Sequence, residues 1–240
     1  SAAWAPASLT VSNCSLAFAQ DQFELNVTND ITVDQGGRLG LGRYAAGTNY
    51  FLRCGGNLLL TNGGILHVYA GATNDPATNY GALVAVTNTL TIGAGASLYT
   101  YAHETNGGTP LIQAGTIALA AAGRINANAR GYKMRSGPGA GGSWDVVPYG
   151  EGGGGYGGRG GGGEDGPSGS AYGSPTNPID PGSGAGSYSD RSRCGGNGGG
   201  SVRLEAAGTV TLDGTIEANG AIGFNGLAAS GSGGGIHIRC

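Results

Sequence analysis

Carboxylates are the residue type from which catalysis could be built in this chain. An enzyme that cleaves polysaccharides needs clustered carboxylates, or a basic side chain, on one outer face of its scaffold. Asp145, Glu151 and Asp180 lie in loop-like sequence, without a regular spacing that would stack them. The same is true of Glu164, Asp165 and Asp190. Solvated loop charge is the favoured interpretation, and an enzyme using Asp145, Glu151 or Asp180 beside a groove is the alternative.

Histidines and acidic pairs do not form a recognisable metal motif. His67, His103 and His237 are scattered, with neither an HxH nor an HExxH pattern. The pair Glu164-Asp165 offers oxygen ligands for calcium, but the nonapeptide repeat that would build such sites is absent. The sequence therefore predicts neither a metal site nor a cofactor.

The four cysteines are too far apart for a CxxC zinc or redox motif. Their even number permits two disulfides, and the candidates are Cys14, Cys54, Cys194 and Cys240. Cys54 and Cys240 follow comparable strands in copies of a repeat that lie too far apart for a disulfide. Cys14 with Cys54 is the expected intramolecular pair, which leaves Cys240 for a free thiol or an intermolecular bond.

Composition excludes several function classes. Glycine accounts for 53 of 240 residues without a Gly-X-Y triplet, which argues against collagen and for a loop-rich or repetitive chain. The net charge is -3 and no lysine or arginine run occurs, so nucleic acid is not an expected partner. The longest apolar stretches are far too short to span a bilayer. The N-terminal Ser1-Ala2-Ala3-Trp4 lacks the features of a signal peptide, as expected after such a peptide has been removed.

An internal repeat is the main signal of the sequence. Three short period-2 apolar pairs recur in copies about 27 to 32 residues apart. The copies run through Leu25, Val27, Ile31, Val33, Leu39 and Leu41; Leu52, Leu58, Leu60, Leu66 and Val68; Val84, Val86, Leu90, Ile92 and Leu98; Leu111, Ile117, Leu119, Ile125 and Ala127; and Val202, Leu204, Val210, Leu212, Ile216 and Ala218. A sixth copy begins at Ile236 and Ile238.

Three alternating strands joined by tight turns make one triangular coil, which cannot bury its apolar row alone. Stacked coils can, because each strand then pairs in parallel with its equivalents above and below. The repeat therefore predicts a right-handed parallel β-helix with three short strands per coil. Coils are expected at 1–135 and 201–240, interrupted by a glycine-rich insertion at 136–200. An antiparallel β-sandwich is the competing architecture.

The insertion contains 26 glycines in 65 residues and has too few apolar residues for a core of its own. It is either a flexible loop or an ordered segment lying along the solenoid flank, and the latter is favoured because the repeat resumes in register at Ser201. Its recurring aromatic residues would then form a contact surface, made of Trp144, Tyr149, Tyr156, Tyr172 and Tyr188.

A resemblance to a known family lies in the C-terminal part of the chain. It rests on the run that begins at Tyr172, continues through Gly182–Gly186 and Gly195–Gly200, and leads into Ser201-Val202-Arg203-Leu204 and 213–220. This run resembles the glycine-rich β-helix modules of very large secreted bacterial surface proteins and, more loosely, autotransporter and adhesin passenger domains. The resemblance covers 150 to 240 well and the earlier coils only by pattern. It implies fold and an extracellular location, and it carries no catalytic motif.

The expected function is a structural or adhesive extracellular module that binds a surface glycan or protein, or stacks head-to-tail into a fibre, because the chain stops in mid-coil. The runner-up is the carbohydrate-active enzyme described above. Ice binding is the outsider, suggested by Thr32, Thr91 and Thr211 at one outward strand position. Leu59 and Ala118 interrupt that row, and ordinary β-propensity accounts for the threonines.

Overall fold

A computed structural model describes residues 2–74, 79–142, 152–163, 166–187, 194–224 and 228–240. In these ranges the chain is all-β, and it contains no helix that could cross a membrane. The strands are β1 (Ala3–Trp4), β2 (Leu9–Ser12), β3 (Ser15–Phe18), β4 (Glu24–Val27), β5 (Ile31–Asp34), β6 (Arg38–Leu41), β7 (Tyr50–Cys54), β8 (Leu58–Leu60), β9 (Ile65–Tyr69), β10 (Ala82–Ile92), β11 (Ser97–Tyr101), β12 (Pro110–Leu119), β13 (Arg124–Asn126), β14 (Val202–Ala206), β15 (Val210–Leu212), β16 (Thr215–Glu217) and β17 (Ile236–Arg239).

The strands form an 11-stranded sheet and a 6-stranded sheet. The 11-stranded sheet contains the ladder β1-β4-β7-β10-β12-β14-β17 and, beside it, β2, β5, β8 and β15, which pair with one another or with the long strands β10 and β12. The 6-stranded sheet runs β16-β13-β11-β9-β6-β3. Every pairing between these strands is parallel, for example β4 with β7 and β6 with β9. This arrangement is compatible with a β-solenoid and does not fit an antiparallel sandwich.

Strand register pairs the repeat positions as the sequence predicts. Leu52 lies between Leu25 and Val84, and Leu66 lies between Leu39 and Leu98. One assignment is wrong by one residue: Ile112, and not Leu111, pairs with Val84. Because strand residues alternate between faces, that shift places Leu111 on the outer face, where it is nevertheless buried.

The repeat also begins one copy earlier than the sequence indicates. Strands β1, β2 and β3 pair with β4, β5 and β6. In this first copy, β1 contains only Ala3 and Trp4, so the first apolar pair that identifies the other copies is missing. A pattern search therefore does not find it.

The core is a set of columns that run across the sheets. The inward residues of successive copies, such as Leu25, Leu52 and Val84, are completely buried and belong to one continuous cluster. The neighbouring side chain along each strand points outward, so β4 and β5 alternate between buried and half-buried positions. Burial of these aliphatic columns is the main source of stability, at roughly 25 cal/mol per Å² of apolar surface.

Glycine pairs at the turns serve two separate purposes. Gly63 has a φ of 80°, which a side chain rarely tolerates. Its neighbour Gly64 has no such φ, but a Cβ there would overlap the carbonyl oxygen of Val33 in the preceding copy. The second glycine is thus required by the close approach of stacked turns, and only the first by backbone conformation.

The described parts of the glycine-rich region are ordered by hydrogen bonds between separate segments and contain no strand. Gly182 N–H donates to Gly199 O at 2.8 Å, and Gly186 N–H donates to Gly152 O at 2.9 Å. Tyr132 N–H, in the loop after β13, donates to Gly182 O at 3.1 Å and joins the segment to the strand region. Backbone thus packs directly against backbone, which only residues without a side chain permit.

Candidate functional site: an aromatic platform

The outer face of the 6-stranded sheet carries a cluster of rings. His67 and Tyr69 in β9 pair in register with Tyr99 and Tyr101 in β11. Since strand residues alternate, all four rings point outward while Leu66 and Val68 point into the core. Tyr69 stacks on Tyr101 with ring centroids 4.1 Å apart, and His67 stacks on Tyr99 at 5.1 Å.

Tyr44 completes the cluster from the loop between β6 and β7. Its ring stands edge-on to Tyr69 at 4.9 Å and to Tyr101 at 5.3 Å. The side chain is 59% exposed, so it forms a ridge above the stacked pair. We call Tyr44, His67, Tyr69, Tyr99 and Tyr101 the aromatic platform.

Arg130 covers one side of the platform. Its guanidinium lies 4.5 Å from the centroid of Tyr99 and 4.9 Å from that of Tyr101, a cation–π geometry. Its Nη1 donates to Asn126 Oδ1 at 2.8 Å and to Asn128 O at 2.6 Å. The β13 end and the loop after it therefore hold the positive charge in place against the rings.

Two open hollows flank Tyr44. The first, of about 310 Å³, is lined by Leu16, Arg38, Arg43 and His67 among others, and the second, of about 290 Å³, by Glu104, Arg130 and Lys133 among others. Arg43 pairs with Asp21 and Lys133 with Glu104, each at 3.3 Å. Among the described residues, no carboxylate lies within ion-pair distance of Arg38 or Arg130. The surroundings of Tyr44 thus carry an excess of positive charge.

Burial disfavours the charged forms of His67, Tyr44 and Tyr69. Burial, and then the charges of Arg130 and Arg38, lower the pKa of His67, so this ring is uncharged at neutral pH. Its Nδ1 lies 3.0 Å from the Tyr101 hydroxyl, with which it shares a hydrogen bond. Burial raises the pKa of both Tyr44 and Tyr69 above the usual tyrosine value.

The lowered pKa of His67 predicts a loss of stability in mild acid. In the unfolded chain His67 has the ordinary histidine pKa of about 6.5, whereas in the folded chain its pKa is lower. The free energy of unfolding should therefore be level above about pH 6.5 and fall as the pH drops through that value. Urea unfolding at several pH values should show a shallower fall in His67→Gln. A residual slope is expected, because burial also lowers the pKa of His103; an unchanged slope would contradict the assignment to His67.

Of the contact residues expected in the glycine-rich region, Trp144, Tyr149 and Tyr188 lie outside the described residues. Tyr156 and Tyr172 meet edge-to-face at 5.1 Å and line a hollow of about 420 Å³. The Tyr172 hydroxyl donates to Pro181 O and accepts from Ser183 Oγ at 3.0 Å. Burial raises the pKa of Tyr156 to about 12. These two rings are half-buried and brace the glycine-rich segments against each other.

Of the three expected catalytic carboxylates, the structure describes one, Asp180. Asp145 and Glu151 lie outside the described residues. Burial raises the pKa of Asp180, an effect that the charge of Arg203 opposes. Arg203 is almost completely buried, and its Nη1 donates to Asn79 O at 2.6 Å and to Thr109 Oγ1 at 3.2 Å. Within the described ranges, no group of three or more His, Cys, Asp or Glu residues could hold a metal ion.

The cysteines occupy distinct environments. Cys54 is buried in the core, where its thiol lies 3.2 Å from Asn29 O, whereas Cys14 is exposed. Both are free thiols in this structure, and the disulfide expected between them stays a prediction. Cys54 and Cys240 lie along the same ladder, separated by the strands β10, β12 and β14. At about 4.8 Å per strand they are far beyond disulfide reach.

The outward threonine row has the register that the sequence indicates. Thr32, Thr91 and Thr211 fall in one column, and Thr10 extends it. Leu59 and Ala118 occupy the intervening positions, so the column is not a continuous polar row.

The aromatic platform was not predicted from the sequence, although the sequence contains a signal for it. His67 and Tyr99 are separated by 32 residues, as are Tyr69 and Tyr101, which is one repeat length. Rings at equivalent outward positions of adjacent copies lie close enough to stack. Flat apolar faces, fixed guanidinium groups and open hollows together can bind a ligand that has both ring faces and anionic groups.

Comparison of the chain with known family models, with curated proteins and with solved structures finds no match.

Proposed function

We propose that this chain is a right-handed parallel β-helix with three strands per coil. Three sets of parallel strands, each containing one strand or strand segment from successive copies, support this description. The right-handed sense is supported by the strong preference of parallel crossover connections for that hand. Such a solenoid is rigid along its axis and presents outward side chains at fixed intervals.

The function we propose is adhesion to glycans outside the cell, without catalysis. The single observation that carries it is the aromatic platform, where Tyr44 stands exposed above the stacked pair of Tyr69 and Tyr101. Large exposed aromatic groups beside polar rims are typical of binding sites. The sequence resemblance to secreted bacterial surface modules agrees with an extracellular location.

The charges around the platform favour an acidic glycan. Arg38 lines one hollow and Arg130 the other, so an oligosaccharide lying across Tyr44 would meet a guanidinium on either side. Guanidinium groups recognise carboxylate and sulfate geometry through paired hydrogen bonds. Sugar ring faces would pack on Tyr44, while the acidic groups would contact the arginines.

The test is a calorimetric titration of the chain with a uronic-acid hexasaccharide. We expect Tyr44→Ala to weaken binding at least tenfold, or about 1.4 kcal/mol, because it removes the exposed ring. Tyr80→Ala is the matched control, because Tyr80 packs on Phe51 and lies outside the platform. Raising the salt concentration should weaken binding, because the arginine contacts are partly exposed.

Binding that is equally strong in Tyr44→Ala and in the unaltered chain would refute the platform as the adhesive site. Lack of saturable binding to both uronic-acid and sulfated hexasaccharides would refute acidic-glycan adhesion. Turnover of any of these sugars would instead support the enzyme alternative, and Asp180→Asn would then show whether Asp180 takes part. Head-to-tail stacking into a fibre is a separate prediction, which sedimentation velocity at rising protein concentration tests.

A further inference from the structure

A long open groove of about 910 Å³ runs along the first ladder of the 11-stranded sheet, past the ends of β4, β7, β14 and β17 and across the middle of β10 and β12. Six strands contribute equivalent residues to it, namely β4, β7, β10, β12, β14 and β17. The groove therefore crosses the strands and follows the direction in which the copies stack. It shares no lining residue with the hollows beside Tyr44.

One wall of the groove, which we call the tall wall, is a column of outward side chains held in register. In order along the ladder these are Asn26, Arg53, Ala85, Gln113, Glu205 and Arg239. Parallel strands lie about 4.8 Å apart, so this column extends over about 24 Å. Five of its six members carry a planar polar group, and the spacing between them is set by the backbone.

The other wall is low and made of small residues. Thr28, Gly55 and Ala207 follow the ends of β4, β7 and β14. Thr87 and Gly115 lie within the long strands β10 and β12, where the pairing register shifts after Val86. The backbone there is already used between copies: Gly55 N–H donates to Val27 O at 2.8 Å and Ala207 N–H donates to Ala114 O at 3.0 Å. A ligand in the groove must therefore be recognised mainly by the side chains of the tall wall.

The tall wall offers both donors and acceptors with little net charge. Arg53 is balanced by Glu24 at 3.3 Å and lies over the Phe51 ring at 4.9 Å. Gln113 Nε2 donates to Glu205 Oε2 at 3.0 Å, so these two side chains orient each other. Amide, carboxylate and guanidinium groups in one row match a ligand whose groups both donate and accept along its length, as sugar hydroxyls do. A polyanion would meet the Glu205 carboxylate between Gln113 and Arg239.

We propose that this groove binds an uncharged linear polysaccharide, laid along the stacking direction with its hydroxyls against the column from Asn26 to Arg239. The site is separate from the aromatic platform and differs from it in ligand charge. The chain would then hold two glycan sites on different faces, one for acidic and one for neutral sugars. A rigid stack of strands keeps both in fixed relative positions, which favours attachment to a composite surface.

The experiment uses linear hexasaccharides of glucose, mannose and N-acetylglucosamine, titrated separately into the full chain. We expect saturable binding of at least one of them, weakened at least tenfold by Gln113→Ala and by Thr87→Trp. Gln113→Ala removes a polar group from the tall wall. Thr87→Trp fills the groove from an exposed position, where a larger side chain does not disturb the core.

Two variants serve as controls. Thr211→Trp places the same ring at an exposed threonine outside the groove, and it should leave binding unchanged. Tyr44→Ala should also bind the neutral sugar normally, which separates this proposal from that for the platform. The groove assignment is wrong if no hexasaccharide binds saturably, or if binding persists in Thr87→Trp. Loss of acidic-sugar binding in Thr87→Trp would equally overturn it, since the groove would then prefer charged ligands.

Discussion

Gly184→Ala is expected to destabilise the glycine-rich region by about 3 kcal/mol, the upper part of the range for forcing extra atoms into a packed interior. A Cβ at Gly184 would overlap the carbonyl oxygen of Lys133 and lie 2.7 Å from Met134 Cα. Both atoms belong to the backbone, so neither can rotate away. The Gly184 N–H also donates to Ser136 O at 3.0 Å, so retreat of the segment would break that bond.

Gly161→Ala is the matched control for this prediction. It lies in the same glycine-rich region, but no atom lies within 4 Å of the position that its Cβ would take. Its φ is outside the left-handed region, so alanine there should leave stability unchanged or raise it slightly by restricting the unfolded chain. Urea unfolding of the two variants, with hydrogen exchange at the glycine amides, measures the difference. Equal stability would mean that the region is loose in solution.

This contrast explains why the sequence predicts the glycine-rich region poorly. Composition shows a lack of apolar residues, and such a segment ordinarily has no core. Order here comes from backbone hydrogen bonds between distant segments, such as Gly182 with Gly199. Such bonds leave no pattern of residue types in the sequence, because the tightly packed Gly184 and the openly placed Gly161 are both glycines. Only the three-dimensional arrangement separates the required glycines from the replaceable ones.

The strand region is predictable to the extent that its side chains alternate. The apolar pairs of five copies identify the strands and their register, because each inward residue must meet an inward residue in the next copy. The copy containing Trp4 was missed for lack of an apolar pair, and Leu111 was misplaced because both Leu111 and Ile112 are apolar. The aromatic platform required one further step, namely applying the same register to outward residues such as Tyr69 and Tyr101.

The groove and the platform also differ in what a sequence can reveal about them. The platform consists of aromatic residues, and their recurrence at the repeat length is visible in the sequence. The groove wall from Asn26 to Arg239 consists of ordinary surface residues, separated by up to 92 positions between Gln113 and Glu205. Their alignment follows from the strand pairing across the glycine-rich insertion, and that pairing becomes visible only when β12 is placed beside β14.

Leu60→Ala is the second change with a large expected effect, and it tests whether successive copies share one core. Leu60 is completely buried in a column with Val33, Ile92, Leu119 and Leu212. Removing its side chain leaves a cavity between the neighbouring copies, at a cost of about 2 to 5 kcal/mol. Equilibrium denaturation, monitored by circular dichroism, should show this loss as a lower midpoint with an unchanged slope.

Leu212→Ala is the control for Leu60→Ala, because it is the same substitution at the same column position. Leu212 is 40% exposed, since β15 has a neighbouring strand on one side among the described residues. Little apolar surface is lost there and solvent can fill the space, so the expected cost is below about 1 kcal/mol. The difference between the two variants measures how far stacking, and not the residue type, stabilises the column. Equal costs would show that the two leucines are not members of one column, and the solenoid arrangement that positions the platform and the groove would then be wrong.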